Sequence, residues 1–486
     1  MSFQKDPAEI LARLDRLRAA DAPTHGGHVL SYVYDSGLAE LDELAARAIR
    51  VMQPVNGLDP TTFTSVAVME REVLGFAREM LHGDDSVVGT VTTGGTESCL
   101  LAVKTARDLW SGEGRPRLVA PVTVHAAFQK AAHYFGLDLD LVDVGTDGRA
   151  HAEDLIARFG PDVALVVVSA PSYPHAALDP VAAVARAAAE LGIPCHVDAC
   201  IGGWVLPFWE GLPDWDFRVE GVTSISADVH KYGYAPKGAS VLLQRGRDRQ
   251  RAQYFSTTRW PGYPVINPTM LGSKSAGPLA ASWAIVQALG MDGFAELAAS
   301  CQRSTRHLVD LVNSIPGLTV VGDPVGPLFA VTGDATAPAR ERIDPHHWAD
   351  RVRAHGWQLQ LQPSLVQSDG SVLPTTTHLT ITPVTESVLE PLSEALVAAA
   401  AEVRGIPPVS PEQVLASFPP ELLAGLAEAG PLDSETAWAF LQQVGLGGSD
   451  ELPESLAPLL ALVSALPAPL VERLLTELLA RLVEPR

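Results

Sequence analysis

The chain has 486 residues, a formal net charge of −22 at pH 7 and a hydrophobic fraction of 47%. This length and composition predict a globular protein of two or three domains and exclude a fibrous or disordered chain. The acidic balance argues against broad binding to nucleic acid or to anionic membranes.

Cysteine content and the N-terminus indicate the compartment. The four cysteines include no Cys-x-x-Cys pair, so we expect neither a disulfide framework nor a metal site. Residues 1–6 contain no apolar run typical of a secretory signal. No stretch reaches the roughly 18 apolar residues of a membrane helix. The sequence therefore predicts a cytoplasmic protein without a membrane span.

The first predicted elements form an N-terminal helical arm over residues 1–60 and a large α/β domain over residues 61–295. Helices near Pro7–Ala20 and over Leu38–Met52 flank a Gly-Gly break in the arm. The large domain alternates apolar strands with Ala-rich helices, which is typical of a mostly parallel sheet. Its clearest elements are the strands 117–121, 163–168, 194–198 and 239–243 and the helices 99–110 and 179–191.

Two further regions complete the predicted organisation. A smaller α+β domain over residues 296–404 is predicted from strands near Leu318–Val321, Leu328–Thr332 and His378–Thr382. After Pro407 and Pro408, a segment rich in Leu, Ala and Pro predicts three to five short helices appended over residues 405–486. The role of these helices is not indicated by their sequence, including the apolar run from Val414 to Leu426.

A glycine-containing turn, Gly94-Gly-Thr-Glu-Ser98, precedes a predicted helix. Free backbone N–H groups and the dipole at a helix start favour an anion, so the turn suits a phosphate group. A plain helix-capping turn explains the same residues equally well.

A carboxylate and a lysine follow this turn along the chain. Asp198 ends a predicted strand, where it can meet a ligand, although such residues more often cap or form salt bridges. Lys231 follows His230 among small and polar residues, and a desolvated lysine can attack a carbonyl, although most lysines lie at the surface. The order of turn, His or aromatic residue, Asp and Lys is the layout that holds pyridoxal phosphate. We therefore predict a Schiff base at Lys231 and a ring-nitrogen contact at Asp198.

The sequence resembles the group II pyridoxal-phosphate decarboxylase superfamily, and within it the sphingosine-1-phosphate lyases most of all. The segments that carry the resemblance are Thr92–Ser98, His196–Gly203 and Ser224–Gly238, which reads Ser-Ile-Ser-Ala-Asp-Val-His-Lys-Tyr-Gly-Tyr-Ala-Pro-Lys-Gly. The resemblance covers most of residues 26–400. It implies the pyridoxal-phosphate-dependent transferase fold (fold type I, aspartate aminotransferase-like) and a homodimer with shared active sites.

The resemblance also implies roles for individual residues, in three groups. The cofactor ring would be held by Lys231, Asp198 and His125, with the imidazole stacked on the ring face. The cofactor phosphate would contact Gly95, Thr96 and His230, and a loop of the partner subunit would bring Gly272 and Ser273. The substrate pocket would be lined by Tyr34, Asn56, Tyr173 and Lys237, for which packing or surface roles are the alternative.

One segment departs from the lyase pattern. The lyases carry an Asn-x-Leu-His-Pro motif whose histidine helps to hold the substrate phosphate, whereas this chain reads Asn56-Gly-Leu-Asp-Pro60. Asp59 would repel a phosphate by roughly 1 kcal/mol or more in a partly buried site. Lys274 also replaces the usual arginine, which exchanges a planar fork for a point charge. We therefore expect lyase architecture with a substrate that differs from the usual phosphorylated long-chain base.

The leading functional hypothesis is retro-aldol cleavage of a β-hydroxy amine to an aldehyde and an amine, a reaction of sphingolipid metabolism. Lys231, Tyr173 or His175 would move the protons, and the sequence does not rank them. The first alternative is α-decarboxylation of an amino acid, which needs a cation for the substrate carboxylate. The second is a scaffold that retains the fold without turnover, which the intact Lys231, Asp198 and His125 disfavour.

Overall fold

A computed structural model describes residues 4–410, 433–443 and 455–485. The N-terminal arm contains both predicted helices, α1 (Pro7–Arg18) and α2 (Ala39–Met52). Helix α1 buries none of its residues. Helix α2 buries Leu41 and Ala45 in the core of the large domain, so this half of the arm belongs to the domain's packing.

The large domain is built on a mostly parallel sheet of seven strands, which confirms the predicted fold class. The strands are β1 (Val87–Thr92), β2 (Arg117–Pro121), β3 (Asp138–Val142), β4 (Val163–Ser169), β5 (Cys195–Asp198), β6 (Val222–Ala227) and β7 (Ser240–Arg245). Their order in the sheet is β1-β7-β6-β5-β4-β2-β3. Strand β7 is antiparallel to both neighbours, and the other pairs are parallel. All seven residues of β4 are buried, as expected for a strand covered on both faces.

Helices cover this sheet and continue into the smaller domain. They are α3 (Thr64–Met80), α4 (Gly95–Leu109), α5 (Ala126–Phe135), α6 (Ala152–Ile156), α7 (Val181–Glu190), α8 (Arg247–Gln253) and α9 (Gly277–Ser314). A short hairpin of β8 (Phe255–Thr257) and β9 (Val265–Asn267) lies between α8 and α9. Helix α9 is interrupted at Gly290. The predicted domain boundary at residue 295 therefore falls inside a long helix that serves both domains.

The smaller domain has an antiparallel sheet in the order β10-β11-β15-β12. Its strands and helices are β10 (Leu318–Val320), β11 (Leu328–Gly333), α10 (Pro345–Ala354), β12 (Gln360–Gln362), β13 (Leu365–Val366), β14 (Val372–Leu373), β15 (Thr376–Thr380) and α11 (Leu389–Val403). The three predicted strands are present, although β15 begins two residues before the predicted His378. Leu30 of the N-terminal arm completes the core of this domain.

The described part of the appended region contains α12 (Ser434–Gln443), α13 (Ala457–Ala465) and α14 (Ala468–Leu482). These helices share a small apolar core that includes Phe440, Leu462 and Leu474. Asp350 on α10 accepts hydrogen bonds from the backbone N–H groups of residues 456 and 457, which start α13. The appended helices therefore dock on the smaller domain. The apolar run from residue 414 to 426 lies outside the described residues.

None of the helices in the described ranges has both the length and the apolar character that crossing a bilayer requires.

Candidate cofactor and active site

A cavity of about 710 Å³ lies where the carboxyl ends of the central strands meet the start of α4. Ser169 and Asp198 end β4 and β5, and Asp228 follows β6 directly. All three residues line the cavity. Because carboxyl ends of parallel strands converge at one sheet edge, residues far apart in sequence meet there, as in other α/β proteins.

Lys231 projects into this cavity from the turn after β6. Its backbone N–H donates to the carbonyl of Asp228 (3.2 Å), and its Nζ lies 3.0 Å from Asp228 Oδ2. Burial opposes the charged amine, but the carboxylate of Asp228 outweighs it with help from neighbouring groups, and the pKa of Lys231 is raised well above its ordinary value. The predicted Schiff-base lysine is thus a cavity residue with a buried carboxylate partner.

Asp198 lines the same cavity. Its Oδ1 accepts a hydrogen bond from the Cys200 N–H (3.1 Å) and a longer one from Ser226 Oγ (3.4 Å). Burial alone would raise the pKa of Asp198, but nearby His125, the bond from Cys200 and the charge of Lys231 lower it. An ionised carboxylate inside the protein is suited to pair with a protonated ring nitrogen.

His125 lines the wall of the cavity. It is the N-cap residue of α5, and its Nδ1 accepts a hydrogen bond from the Ala127 N–H (3.2 Å). This bond fixes the imidazole at the start of a helix while the ring stays open to solvent. The predicted stacking on a cofactor ring has the required position, and it stays a prediction.

The predicted phosphate turn also borders the cavity. Helix α4 begins at Gly95, and Gly94 before it has φ +149°, a conformation that favours glycine. A Cβ on Gly95 would lie 2.5 Å from Asp228 Oδ2 and 2.9 Å from Cys200 Sγ. Thr96 and His230 are also lining residues. The pKa of His230 is lowered, chiefly by burial, so this imidazole is neutral near pH 7.

Gly95→Ala is expected to weaken cofactor binding at least tenfold. The added methyl group would collide with the Asp228 carboxylate and Cys200, and overpacking of this kind costs about 1–3 kcal/mol. The measurement is a titration of the apoprotein with pyridoxal phosphate, followed by absorbance. The matched control is Gly75→Ala in α3, where a Cβ meets no atom within 4 Å, and its affinity should match the wild type. Equal affinities of the wild type, Gly95→Ala and Gly75→Ala would contradict the proposed phosphate site at the start of α4.

Two predicted substrate residues line the cavity, and a third lies beside it. Tyr34 and Tyr173 are lining residues. Lys237 Nζ lies 4.5 Å from the centre of the Tyr34 ring and donates to the His230 carbonyl (3.2 Å). Desolvation, aided by the positive charge of Lys231, lowers the pKa of Lys237 to about 8. The Tyr173 ring stacks on His378 at 4.3 Å, and its buried hydroxyl has no hydrogen-bond partner in the described residues.

His175 does not line this cavity, although it is only two residues from Tyr173. It is buried behind the loop, against Gly148, where a Cβ would lie 2.5 Å from the His175 Cβ. Burial lowers the pKa of His175 to about 4. His175 therefore has no contact with the cavity that would support its predicted role in proton transfer.

Asn56 also lies outside the cavity, but it holds the loop that carries Gly272 and Ser273. Its Oδ1 accepts from the Lys274 N–H (3.3 Å), and its Nδ2 donates to Ser273 Oγ (3.2 Å). Gly272 and Ser273 are exposed and do not line the cavity of their own chain, whereas the two residues before them do. Their predicted contact with the partner's phosphate stays a prediction.

Asp59 follows on the same segment and is likewise outside the cavity of its own chain. Its Oδ1 accepts from the N–H (2.9 Å) and the hydroxyl (2.6 Å) of Thr61, and its Oδ2 accepts from Thr62 Oγ (2.9 Å). These bonds lower the pKa of Asp59 to about 2, so the carboxylate is ionised. The residue has a local role in the turn before α3, besides any effect of its charge on a substrate.

Several residues of the site were not predicted from the sequence. Asp228 is one of them, although it lies inside the longest motif. Glu97 is buried and links two parts of the site, since Oε2 accepts from the Thr93 N–H (2.6 Å) and Oε1 accepts from the Met270 N–H (2.6 Å). The only hint in sequence is the acidic residue in the first turn of a helix that begins with glycine. The carboxylate ties the phosphate turn to the loop that ends at Ser273.

Two cysteines are further cavity residues that the sequence analysis left without a role. The sulfur atoms of Cys99 and Cys200 are 4.0 Å apart, and with the Asp198 carboxylate they form a group of donor atoms within 4.8 Å of one another. Asp198 Oδ1 is already engaged by the Cys200 N–H. The group belongs to the ring-nitrogen end of the cavity, and the expectation of no metal stays a prediction.

Known protein families include two whose models match this chain. Residues 56–329, more than half of the chain, match the model of the pyridoxal-dependent decarboxylase conserved domain. The chain belongs to the pyridoxal-dependent decarboxylase family. Residues 419–481 match a second model, described as a C-terminal helix-turn-helix (HTH) domain of pyridoxal-dependent enzymes. This match includes α12, α13 and all but the last residue of α14.

Individual family members show which relatives the chain resembles. It is 39% identical to sphingosine-1-phosphate lyase of Dictyostelium discoideum over 346 residues, which are 70% of this chain and 64% of that protein. It is 32% identical to a "Probable L-tyrosine/L-aspartate decarboxylase" of Methanothrix thermoacetophila over 310 residues, 63% of this chain and 78% of that protein. The chain thus spans less than two thirds of the Dictyostelium lyase.

A solved structure supports the same family placement. The sphingosine-1-phosphate lyase of Burkholderia pseudomallei superposes with a TM-score of 0.76 at 30% identity, over 88% of this chain and 97% of that one. This match confirms the predicted fold type and the resemblance to the lyases.

The family's cofactor is pyridoxal 5'-phosphate, and the cavity residues of this chain fit it. Lys231 supplies an amine inside the cavity, and Asp198 supplies an ionised carboxylate in its lining. The start of α4, where only glycine fits at position 95, supplies an anion site. The cofactor aldehyde, ring nitrogen and phosphate each have a matching group.

Proposed function

We propose that this protein is a pyridoxal-phosphate-dependent carbon–carbon lyase. It cleaves a β-hydroxy amine, similar to a sphingosine-1-phosphate-like long-chain base, by a retro-aldol reaction to an aldehyde and an amine, and so acts in sphingolipid metabolism. The observation that carries the proposal is the convergence of Lys231, Asp198 and His125 on one cavity in a chain that is 39% identical to a sphingosine-1-phosphate lyase over 346 residues.

The residues of the chain divide the chemical work. When bound, pyridoxal phosphate supplies an electron sink for the bond that breaks at the substrate α-carbon. Asp198 keeps a proton on the ring nitrogen, because its carboxylate stays ionised. Lys231 Nζ, once released, can take the proton of the substrate β-hydroxyl and deliver a proton to the α-carbon after the carbon–carbon bond breaks. Burial raises the pKa of Tyr173, so its hydroxyl, which has no hydrogen-bond partner in the described ranges, keeps its proton at neutral pH and can donate it.

A positive group beside the cavity supports an anionic substrate. Lys237 lies next to Tyr34, and with a pKa of about 8 it is charged at pH 7 and becomes neutral as the pH rises above 8. The same cation suits the phosphate of a phosphorylated amine or the carboxylate of an amino acid. It supplies the positive charge that the sequence alone did not identify for the decarboxylase alternative.

The proposed lyase reaction is tested by trapping the aldehyde product with a hydrazine reagent, with a phosphorylated long-chain amino alcohol as substrate. Aldehyde formed in proportion to enzyme is the expected result. Carbon dioxide release from a panel of amino acids is followed in parallel, since the Methanothrix relative favours decarboxylation as the second candidate. Carbon dioxide without aldehyde would overturn the lyase assignment and establish the second candidate.

The charge at position 59 is expected to discriminate against phosphorylated substrates. Asp59→His should lower KM for a phosphorylated amine severalfold, because it removes the negative charge that would repel the phosphate. Asp59→Asn is the matched control, since it removes the charge but retains an oxygen that can accept from Thr61. A KM that is unchanged in both variants would assign Asp59 only to the turn before α3.

We also propose a cytoplasmic homodimer whose two sites are shared. In support, the loop with Gly272 and Ser273 is exposed, and Asn56 and Glu97 hold it in a defined conformation. Sedimentation velocity of the holoprotein tests the dimer, and a monomer at micromolar concentration would contradict it.

A further inference from the structure

The proposed function gives no task to the carboxylate closest to the reactive amine. Asp228 is 2% exposed, and its Oδ2 lies 3.0 Å from Lys231 Nζ and 3.6 Å from His230 Nε2. Its Oδ1 has no hydrogen-bond partner in the described residues. A buried carboxylate is costly unless it is paired, and Lys231 Nζ is the nearer of the two basic nitrogens beside Asp228 Oδ2.

We propose that Asp228 is a catalytic residue of this site, the buried counter-ion that holds a proton on the Lys231 nitrogen before and after this nitrogen joins the cofactor. The geometry favours Asp228 over Asp198 for this task. Asp198 Oδ1 already accepts from Cys200 and Ser226 at the ring-nitrogen end of the cavity, whereas Asp228 Oδ2 contacts the amine directly.

The other titratable groups around the Lys231 nitrogen do not supply the compensating charge. Burial raises the pKa of Tyr34, and the hydrogen bond with Cys99, followed by burial, raises the pKa of Cys200, so these groups are neutral at pH 7. Burial lowers the pKa of His230, and Lys237 is a cation that opposes a proton on Lys231. Asp198 adds a weaker attraction than Asp228 does. Asp228 is therefore the dominant anionic neighbour among the described residues.

Asp228 also solves a problem of proton transfer at cofactor loading. An amine attacks an aldehyde only as the free base, and Lys231 is held as an ammonium ion. The Asp228 carboxylate, whose Oδ2 lies 3.0 Å from Lys231 Nζ, would accept the proton that the amine must lose. The cofactor would supply the aldehyde that the free amine attacks. One water would leave with the aldehyde oxygen, and Asp228 would return its proton to the lysine nitrogen.

The space for this carboxylate is provided by Gly95. An ideal Cβ at this position would lie 2.5 Å and 2.7 Å from the two Asp228 oxygens. Gly95 therefore leaves the start of α4 open and makes room for the counter-ion of Lys231.

The test is a pH titration of the visible absorption of the holoprotein without substrate. In Asp228→Asn the midpoint between the protonated and unprotonated cofactor–lysine linkage should fall by at least one pH unit relative to the wild type. Asp228→Glu, which keeps the charge, should restore most of this shift. Unchanged midpoints in the Asn variant would overturn the proposal, and so would equal shifts in the Asn and Glu variants.

The wild type alone gives a second measurement that does not depend on the folding of any variant. Its absorption should stay in the protonated form from pH 6 to pH 9, and a midpoint below pH 7 would overturn the proposal. Both titrations rest on the cofactor site and use no substrate. Their failure is therefore distinguishable from failure of the lyase assignment, which only the aldehyde assay addresses.

Discussion

Replacing Lys231 with alanine is expected to remove the visible absorption band of the lysine-bound cofactor and to lower turnover at least about 1000-fold. Lys231 Nζ is the amine that the structure places beside Asp228 inside the cavity. Alanine removes both the covalent link and the group that returns a proton to the substrate carbon. Absorbance of the purified protein and the initial rate of aldehyde formation measure the two losses.

A second lysine separates this effect from a general loss of folding. Lys104→Ala alters a half-buried lysine on α4 that donates to the carbonyl of Ala252 (2.8 Å), outside the cavity. This variant should keep both the band and the rate. An unchanged band in Lys231→Ala would show that another amine binds the cofactor, and the assignment would be wrong.

Asp198→Asn is expected to lower turnover about 100-fold or more while the cofactor stays attached to Lys231. The amide is nearly isosteric with the carboxylate, and its oxygen can still accept from the Cys200 N–H. It lacks the negative charge that holds a proton on the ring nitrogen, so the electron sink is weaker. The rate is therefore expressed per mole of bound cofactor, which corrects for any loss of affinity.

The outcome for Asp198 distinguishes an electrostatic role from a structural one. If the rate per bound cofactor equalled that of the wild type, Asp198 would serve only to hold the turn at Cys200. If Asp198→Glu recovered part of the rate that Asp198→Asn loses, the negative charge itself would be the essential feature.

The elements that the sequence predicted correctly are those with a strong local signal. Strand β4 is an uninterrupted apolar run, and the observed strand adds only Ser169 to the prediction. Strand β6 was not among the predicted strands because its sequence contains Ser224 and Ser226. Both serines are buried, and they bond to the two ring nitrogens of His196 on the neighbouring strand (2.8 and 3.2 Å). The partner that makes these polar residues compatible with burial is 28 residues away or more.

The start of α4 shows a second limit of local patterns. The helix was predicted from Cys99, whereas it begins at Gly95. Glycine and threonine have low helix propensity, but residues 95–98 form the first turn because Gly94 turns the chain sharply before them. Glu97 then bonds to Thr93 and Met270, and the second of these partners could not be inferred from the helix sequence.

Site residues could be predicted from the sequence where they lie in a specific motif. They could not be predicted where the direction of the side chain determines whether a residue reaches the cavity. Lys231 and Asp198 lie in long specific motifs, and both line the cavity. Tyr173 and His175 share one loop, which has no fixed period, so sequence could not tell that the tyrosine faces the cavity and the histidine the interior. The role of Asp228 was not predicted because it depends on the distance of 3.0 Å between Asp228 Oδ2 and Lys231 Nζ. The spacing of residues along a turn does not reveal such a distance.

The most direct test of the cofactor site is reduction of the holoprotein with borohydride, followed by protease digestion and mass spectrometry of the peptides. Our prediction is one pyridoxyl-phosphate adduct per chain, assigned by peptide fragmentation to Lys231 and not to Lys237 or Lys274. An adduct on another lysine, or the absence of any adduct in a protein that shows the visible band, would contradict it.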